Sequence, residues 1–395
     1  MRNIIVGFRR LLFAIMDYLA VMVWQSSMAK TGVALIRLDA IGDFIIWLDS
    51  AKEYRRLFPA QKIVLLANTA WADLACGLPY WDEVWTLDLQ RFTRKPLYRW
   101  MLLRKISQAN FAVAIQPTFS RAFMYGDSVI RATRATQRIG SVGDMSNISA
   151  KDKAVGDSWY TRLLPASPNP LMELQRNAEF ISHLTDETFK ESLPALPILA
   201  TLPKRLQPQS AYFILFPGAS WHGRQWPTQF FIQLLERLDQ HYGWQAVLCG
   251  SPAEGDLGQV IAHGTQVACL NLIGQSTLAE LAELIRGARI LIGNETSAVH
   301  FAAAVGTPAV CILGGGHFGR FMPYPDTLGG LKPLIATHPM PCFNCNWRCN
   351  QTRDPAGPVP CLSQISVELV MSQTMMAIEQ SHQFNSDMNH ATTSK

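Results

Sequence analysis

The segment Ile290-Leu-Ile-Gly-Asn-Glu-Thr-Ser-Ala-Val-His300-Phe-Ala-Ala-Ala-Val-Gly-Thr-Pro308 constrains this chain most. Its apolar start suits a parallel strand buried on both faces, and Gly293-Asn294 breaks the run. Glu295, Thr296 and Ser297 then fall in the first turn of a helix carrying Val299 to Val305. Backbone N–H groups there lack intrahelical partners, and the helix dipole favours an anion. Gly306-Thr-Pro308 stops that helix, and Ala309 to Leu313 reads as the next strand. A strand emptying onto a polar helix start is the outline of a nucleotide-phosphate site. The same residue types also serve as ordinary caps, so the rest of the chain has to decide.

The unit recurs. In the N-terminal half, strand Val33 to Leu38 is followed by the turn Asp39-Ala-Ile-Gly42 and a helix from about Asp43 to Phe58. Strands at Lys62 to Ala67, Val84 to Leu87 and Phe111 to Gln116 continue a βα alternation that implies a parallel sheet. The C-terminal half shows strands at Tyr212 to Phe216, Ala246 to Cys249 and Leu270 to Ile273 before the opening segment. Residues 185–210, rich in proline, read as a linker. The expected divisions are an amphipathic helix over 1–30, one α/β domain over 31–200, a second over 201–365, and a helix with a disordered tail from Gln383 over 366–395. Two similar α/β halves of this kind form a cleft, with ligands outside the carboxyl ends of the strands.

The 395 residues leave room for two sizeable cores, and 48% hydrophobic against 16% charged residues exclude a disordered chain. Of the net charge of +5, much is concentrated: Arg91 to Arg138 holds ten Lys or Arg and one acid, Asp127. Such a stretch reads as one anion-attracting surface or as a solvated face. No helix-turn-helix, finger or RNA-binding signature occurs there, so nucleic acid is not the expected partner.

Near the N-terminus, Ile4, Ile5, Phe8, Leu11, Leu12, Ile15, Leu19, Met22 and Val23 keep helical spacing, with Arg2, Asn3, Arg9, Arg10 and Asp17 on the other side. The run from Leu11 to Trp24, interrupted by Asp17, is too short to span a bilayer. Three readings remain: a basic amphipathic helix on the inner membrane surface, a helix packed on its own domain, and a signal peptide cleaved at Ser27-Met-Ala29.

Cys76, Cys249, Cys269 and Cys311 lie in apolar stretches and read as small core residues. Cys342, Cys345, Cys349 and Cys361 are spaced to close a tetrahedral zinc site that would pin a proline-rich loop. A disulfide or unliganded cluster is the competing reading, and in each case the role is structural.

Pro217-Gly-Ala-Ser-Trp-His-Gly-Arg-Gln-Trp-Pro227 places Gly218 at a strand exit, a hydroxyl at Ser220 and a guanidinium at Arg224 before a helix. Arginine clamps a diphosphate through paired charge-assisted bonds. Glu254, at a neighbouring strand end, either accepts from a ribose diol or caps its own helix. Gly314-Gly-Gly-His-Phe-Gly319 matches Gly-x-Gly-x-x-Gly, but Pro323 and Pro325 exclude the long helix a dinucleotide fold needs. It reads as a flexible loop whose backbone, with His317 and Arg320, approaches phosphate. Asp43 is the candidate general base, or a cap. No Asp-x-Asp occurs, which disfavours a chelated metal–nucleotide complex and leaves catalysis without a metal cofactor.

Ile41-Gly-Asp43, Pro217-Gly-Ala-Ser220 with Arg224-Gln-Trp-Pro227, Leu270 to Leu278, and Gly293-Asn-Glu-Thr-Ser-Ala-Val-His300 together resemble glycosyltransferase family 9, the ADP-heptose:lipopolysaccharide heptosyltransferases. The resemblance covers roughly residues 33–325 in the family's order. It implies two Rossmann-like domains facing across a cleft (GT-B), with acceptor on the first and nucleotide-sugar on the second. It also implies metal-independent inversion, with Asp43 matching the family's base, Ser220 its upstream hydroxyl and Arg224 a position usually Lys. Glu295-Thr-Ser-Ala-Val-His300 stands where the family has Asp-Ser/Thr-Gly-x-x-His, so Glu295 and Ser297 are departures that bear on donor identity. The reading is a transferase moving a heptose or another hexose-type sugar to an anionic, lipid-linked surface glycan on the cytoplasmic face of the inner membrane. A nucleotide-sugar epimerase and a non-catalytic binding protein organised by the cysteines are the alternatives.

Overall fold

A computed structural model describes residue 13, residues 15–20 and residues 29–393. Most of the N-terminal helix expected over 1–30, and Ser27 and Met28 of the cleavage motif, lie outside the described residues. The chain divides into two compact units: Met1–Phe44, Ser50–Asn169 and Gln175–Lys190 form the first, and Ile45–Asp49, Pro170–Leu174 and Glu191–Lys395 the second.

In the first unit the strands are β1 (Val33–Arg37), β2 (Ile63–Asn68), β3 (Glu83–Leu87), β4 (Val113–Gln116), β5 (Gln137–Ser141) and β6 (Arg162–Leu164), in the order β3-β2-β1-β4-β5-β6. All pairings are parallel. The second unit has β7 (Tyr212–Phe216), β8 (Gln245–Leu248), β9 (Cys269–Asn271), β10 (Leu291–Asn294), β11 (Ala309–Ile312) and β12 (Leu334–Ala336), in the order β12-β11-β10-β7-β8-β9. Read from its other edge, this is the same permutation, again wholly parallel. Each unit is a doubly wound Rossmann-like sheet, as the βα alternation predicts. β1, β2, β7, β10 and β11 are buried at every residue, which is why they read as apolar runs, broken only at their ends by Arg37, Asn68 and Asn294. The strand order reverses at β1/β4 and at β7/β10, where such sheets bind ligands. Phe216 pairs with Gly293, so the exits of β7 and β10 are neighbours.

Several expectations need correction. β5, β6 and β12 went unread: β5 begins with Gln137-Arg138, and the other two are three-residue sheet edges with too little apolar sequence to register. The first helix runs Ile41–Leu57 behind Ala40 at the cap, so Asp43 is its third residue and not the capping one. β10 includes Asn294, Thr296 is the N-cap, and the next helix is Ser297–Val305, so Glu295 precedes the turn it was expected to occupy. Residues 185–210, read as a linker, contain the boundary between the units at Lys190/Glu191, and part of the segment is pinned to the second unit. Leu196 is buried, its N–H donates to Ala304 O at 2.9 Å, and its carbonyl accepts from Arg286 Nη2 at 2.8 Å. A helix occupies Val367–Thr393, through the expected disordered tail. Cys249 and Cys311 are core residues as expected, but Cys76 is exposed at a helix end.

The described turns at 13–20 present the side opposite to that of a helix packed by its apolar face. Ile15 and Leu19 are 50% and 47% exposed, while Asp17 is 7% exposed. The reason is Arg99, fully buried on the helix Pro96–Gln108. Its Nε and Nη2 donate to the two Asp17 oxygens at 2.6 and 2.5 Å, and Nη2 also reaches Ser128 Oγ at 2.8 Å. The guanidinium lies over the rings of Phe92 and Phe13. A charge this far from water requires a partner, and that demand outweighs the burial of two aliphatic side chains. Arg121 is likewise buried, paired with Asp157 and with Asp127 at 3.6 Å. The expected basic surface therefore loses Arg99 and Arg121. Among the described residues, no helix is long and apolar enough to cross a membrane.

Candidate nucleotide-sugar site

Asn294 builds the site in the second unit. Fully buried at the end of β10, its amide oxygen accepts from Trp226 N–H at 2.9 Å, and its Nδ2 donates to Pro217 O at 2.6 Å and Gly218 O at 3.3 Å. The loop leaving β7 is thereby fastened to the exit of β10. Trp226, itself buried, fixes the far end of that loop by donating Nε1–H to Ile365 O at 2.9 Å. Between these anchors a single 3₁₀ turn, His222–Arg224, aims Arg224 back at the strand exits.

Three of the expected donor residues converge here. Arg224 Nη1 donates to Ser220 Oγ at 3.3 Å, and Nη2 donates to Glu295 O and Oε2, both at 3.2 Å. Glu295 Oε1 and Thr296 Oγ1 are buried without a hydrogen-bond partner. Leaving such atoms unpaired costs roughly 1–3 kcal/mol each. Ser297 follows as the first helical residue. Burial holds the Glu295 carboxyl up at about 7, with the adjacent Arg224 pulling it the other way.

The other expected contacts are engaged elsewhere. His300 is buried on its helix with Nδ1 3.2 Å from Tyr324 OH, and burial lowers its pKa to about 4, so it is neutral and not a phosphate cation. Glu254 completes a capping box by accepting from Ser251 N–H at 2.6 Å, and its carboxylate occupies the space a side chain at Gly218 would need. Gly218 thus makes room for Glu254. Arg320 Nε lies 3.9 Å from Glu173 Oε2 and its guanidinium over Phe321. His317 binds Asn346 Oδ1 through Nε2 at 2.6 Å and accepts from Trp347 Nε1–H through Nδ1 at 3.3 Å. Gly314, Gly315 and Gly316 are buried beneath Trp347 and Phe343, which would collide with any side chain there. The expected phosphate-facing glycine loop is instead a seat for aromatic rings.

Those rings belong to the cysteine segment. Cys342, Cys345, Cys349 and Cys361 line one small cavity with Phe343 and Trp347, and all eight cysteines are free thiols. The donor set suits a tetrathiolate metal site. As placed, however, no three His, Cys, Asp or Glu among the described residues are grouped to hold a metal ion. Cys361 Sγ instead accepts from Gly315 N–H at 3.4 Å.

In the first unit Asp43 stands just past the exit of β1, and its carbonyl accepts from Arg37 Nη2 at 3.5 Å. Sequence reasoning missed Arg37, Asp39 and Thr118 beside it. The Asp39 carboxylate is held by Arg37 Nε at 2.8 Å and Thr118 Oγ1 at 3.0 Å. An arginine inside an apolar strand was the available signal for this network, as Asn294 at a strand end was for the second unit.

The second unit thus has an arginine, a hydroxyl and unpaired polar atoms at its strand-order reversal, the place where doubly wound sheets bind ligands. Residues 100–349 match glycosyltransferase family 9 (heptosyltransferase), and the chain belongs to this family. It is a glycosyltransferase. Lipopolysaccharide heptosyltransferase 1 of Pseudomonas aeruginosa is 22% identical over 285 residues, covering 71% of this chain and 78% of that protein. The E. coli heptosyltransferase solved with ADP superposes with a TM-score of 0.66 at 15% identity, over 87% of this chain and 99% of its own. The iron-containing dodecameric glycosyltransferase TibC of enterotoxigenic E. coli gives a TM-score of 0.53 at 14% identity, over 91% and 80%.

The Glu295 carboxyl yields a stability test. Its pKa is raised from an ordinary 4.5 to about 7 on folding, so the folded state keeps the proton longer than the unfolded one. The associated stability is fully present below the unfolded value and is lost as pH rises through the folded one. Between the unfolded value and about pH 8 the wild type is expected to lose roughly 3 kcal/mol relative to Glu295→Gln, which cannot ionise. Denaturant unfolding of both proteins across that range measures it, and parallel pH profiles would refute the assignment.

Proposed function

We propose that this glycosyltransferase transfers a heptose or another hexose-type sugar from a nucleoside-diphosphate donor to an anionic, lipid-linked surface glycan. The second unit binds the donor. The observation that carries this is Arg224 clamped beside Ser220 at the β7/β10 exits, with buried Glu295 Oε1 and Thr296 Oγ1 left unpartnered. A diphosphate arriving there meets a guanidinium fork and the N-terminal N–H groups of Ser297–Val305, which offset the charge that grows on the leaving group. The relatives support the donor class by name: one solved neighbour is an ADP-heptose heptosyltransferase. Glu295, longer than the family's aspartate, and Ser297, bulkier than its glycine, are the positions through which this chain's donor would differ.

Asp43 serves as general base in this reading. It lies just past the exit of β1, as the third residue of the helix Ile41–Leu57, at the position that matches the family's base. It removes the proton from the acceptor hydroxyl as the oxygen attacks the anomeric carbon and the bond to the diphosphate breaks, a single displacement that inverts the centre. No metal cofactor takes part. We assign the four thiols a structural tetrathiolate metal, zinc by coordination preference; iron is the alternative suggested by TibC. Elemental analysis of the purified protein decides, with about one metal per chain expected and none refuting the assignment.

Asp43→Asn is expected to lower turnover about a thousandfold while leaving donor affinity unchanged in calorimetry. Retained turnover would remove Asp43 from the mechanism. Loss of nucleotide binding in an Arg224→Gln variant, found by thermal shift against a nucleotide-sugar panel, would support the donor pocket, and a panel with no ligand would sink it.

We place the reaction at the cytoplasmic face of the inner membrane. In support, the turns at 13–20 hold Asp17 inward and expose Ile15, Tyr18 and Leu19, while Leu97 and Met101 are 66% and 58% exposed on a segment with Arg91, Arg94, Lys95 and Lys105 on its surface and no acid from Leu89 to Gly126. Apolar side chains with neighbouring bases suit an anionic bilayer, whereas a second copy would bring like charges together. The protein is expected to sediment with phosphatidylglycerol-containing vesicles, less so at high salt and less so as Ile15→Ser/Leu19→Ser. Equal binding of neutral vesicles, or none at all, would overturn this.

A further inference from the structure

Trp347 adopts a left-handed φ of 59°, following Asn344 at 66° and Asn346 at 50°. Non-glycine residues hold such conformations only where their surroundings impose them. Here Asn344 N–H donates to Gly315 O at 2.7 Å, Asn346 N–H to Gly316 O at 3.0 Å, and the Trp347 indole N–H to His317 Nδ1 at 3.3 Å. His317 closes the circuit through Nε2 to Asn346 Oδ1. Gly314 and Gly316 supply the space the indole fills. Cys345 and Cys349 stand two residues to either side of Trp347 and open, with Cys361, on the thiol-lined cavity. This construction brings the indole under Arg224, whose guanidinium lies over the ring at 4.4 Å.

We propose that Trp347 is the positioning residue of Arg224, and that the cysteine segment exists to hold Trp347 in place; the inference rests on the reading of Arg224 as the donor's diphosphate ligand. The ring takes the face of the guanidinium and leaves its N–H edge for other partners. Glu295 and Ser220 occupy that edge in the structure described, and a diphosphate would replace them without disturbing the stacked face. Arg224 is thus oriented before the donor arrives, which removes the ordering of a long side chain from the binding step. The strained backbone at residues 344–347 is retained because it delivers this ring.

Calorimetry with ADP, GDP and UDP on five proteins tests it: wild type, Trp347→Leu, Trp347→Phe, Arg224→Gln, and Arg224→Gln combined with Trp347→Leu. For the nucleotide that binds wild type, Trp347→Leu is expected to weaken affinity about tenfold, while Trp347→Phe, which keeps an aromatic face, stays within about threefold. In the Arg224→Gln background, Trp347→Leu should add nothing further. An undiminished affinity in Trp347→Leu, or the same loss with and without Arg224, would show that Trp347 does not act through the arginine. Should Trp347→Leu fail to fold, Trp347→Phe weakened as much as Arg224→Gln would equally overturn the ring-face argument. A wild type that binds none of the three diphosphates overturns the donor reading itself and this inference with it.

Discussion

The buried amide of Asn294 is the interaction on which the second unit's site depends. It satisfies one N–H of the loop leaving β7 and two of that loop's carbonyls from the end of β10. Without it, three polar backbone groups and an amide would be unpaired in a dry interior, so the two strand exits would not close on each other. Parallel sheets of this order always place the first and fourth strands side by side. Asn294 turns that neighbourhood into a fixed distance between Arg224 on one loop and Glu295 on the other.

The Arg224–Glu295 pair is held in a setting that resists it. Burial opposes the Glu295 charge strongly enough to raise its carboxyl to about 7 despite the arginine, and one of its oxygens has no partner. A pair so placed contributes little net stability, since desolvation offsets most of the attraction. It makes better sense as a polar group kept ready for exchange, with the indole of Trp347 holding the guanidinium while its hydrogen-bonding edge changes partners. The first unit solves a related problem differently: Asp17–Arg99 is a closed bidentate pair with its arginine wholly buried, and it dictates which face of the 13–20 turns meets the protein.

Much of this was legible in the residues. The strand runs Val33 to Leu38 and Tyr212 to Phe216, the exits at Asp43 and Ser220, and the order of the motifs identified the fold and the family. Those features are local: burial on both faces makes a strand uniformly apolar, and a helix start needs particular residue types within a few positions. Where the reading failed, the cause was a distant partner. Gly314, Gly315 and Gly316 looked like a phosphate loop because nothing nearby in sequence shows that Trp347 and Phe343 cover them. His317 looked like a phosphate contact, but its two ring nitrogens are taken by Asn346 and Trp347, both distant in sequence. Of the three readings open for residues 1–30, the exposure of Ile15 and Leu19 speaks against packing by the apolar face, because Arg99 holds Asp17 inward.

The two doubly wound α/β units and the loops that carry polar chemistry are written in the residues themselves, because periodicity and turn chemistry act over a few positions, and the order of the motifs carries the resemblance to the family. Which polar groups are spent on the fold follows from the tertiary packing alone. Glu254, Asp39 and His317 are engaged in caps and networks, while Glu295 Oε1 and Thr296 Oγ1 remain unpaired. That allocation depends on hydrogen bonds and desolvation set by residues far apart in the chain, which no local pattern records.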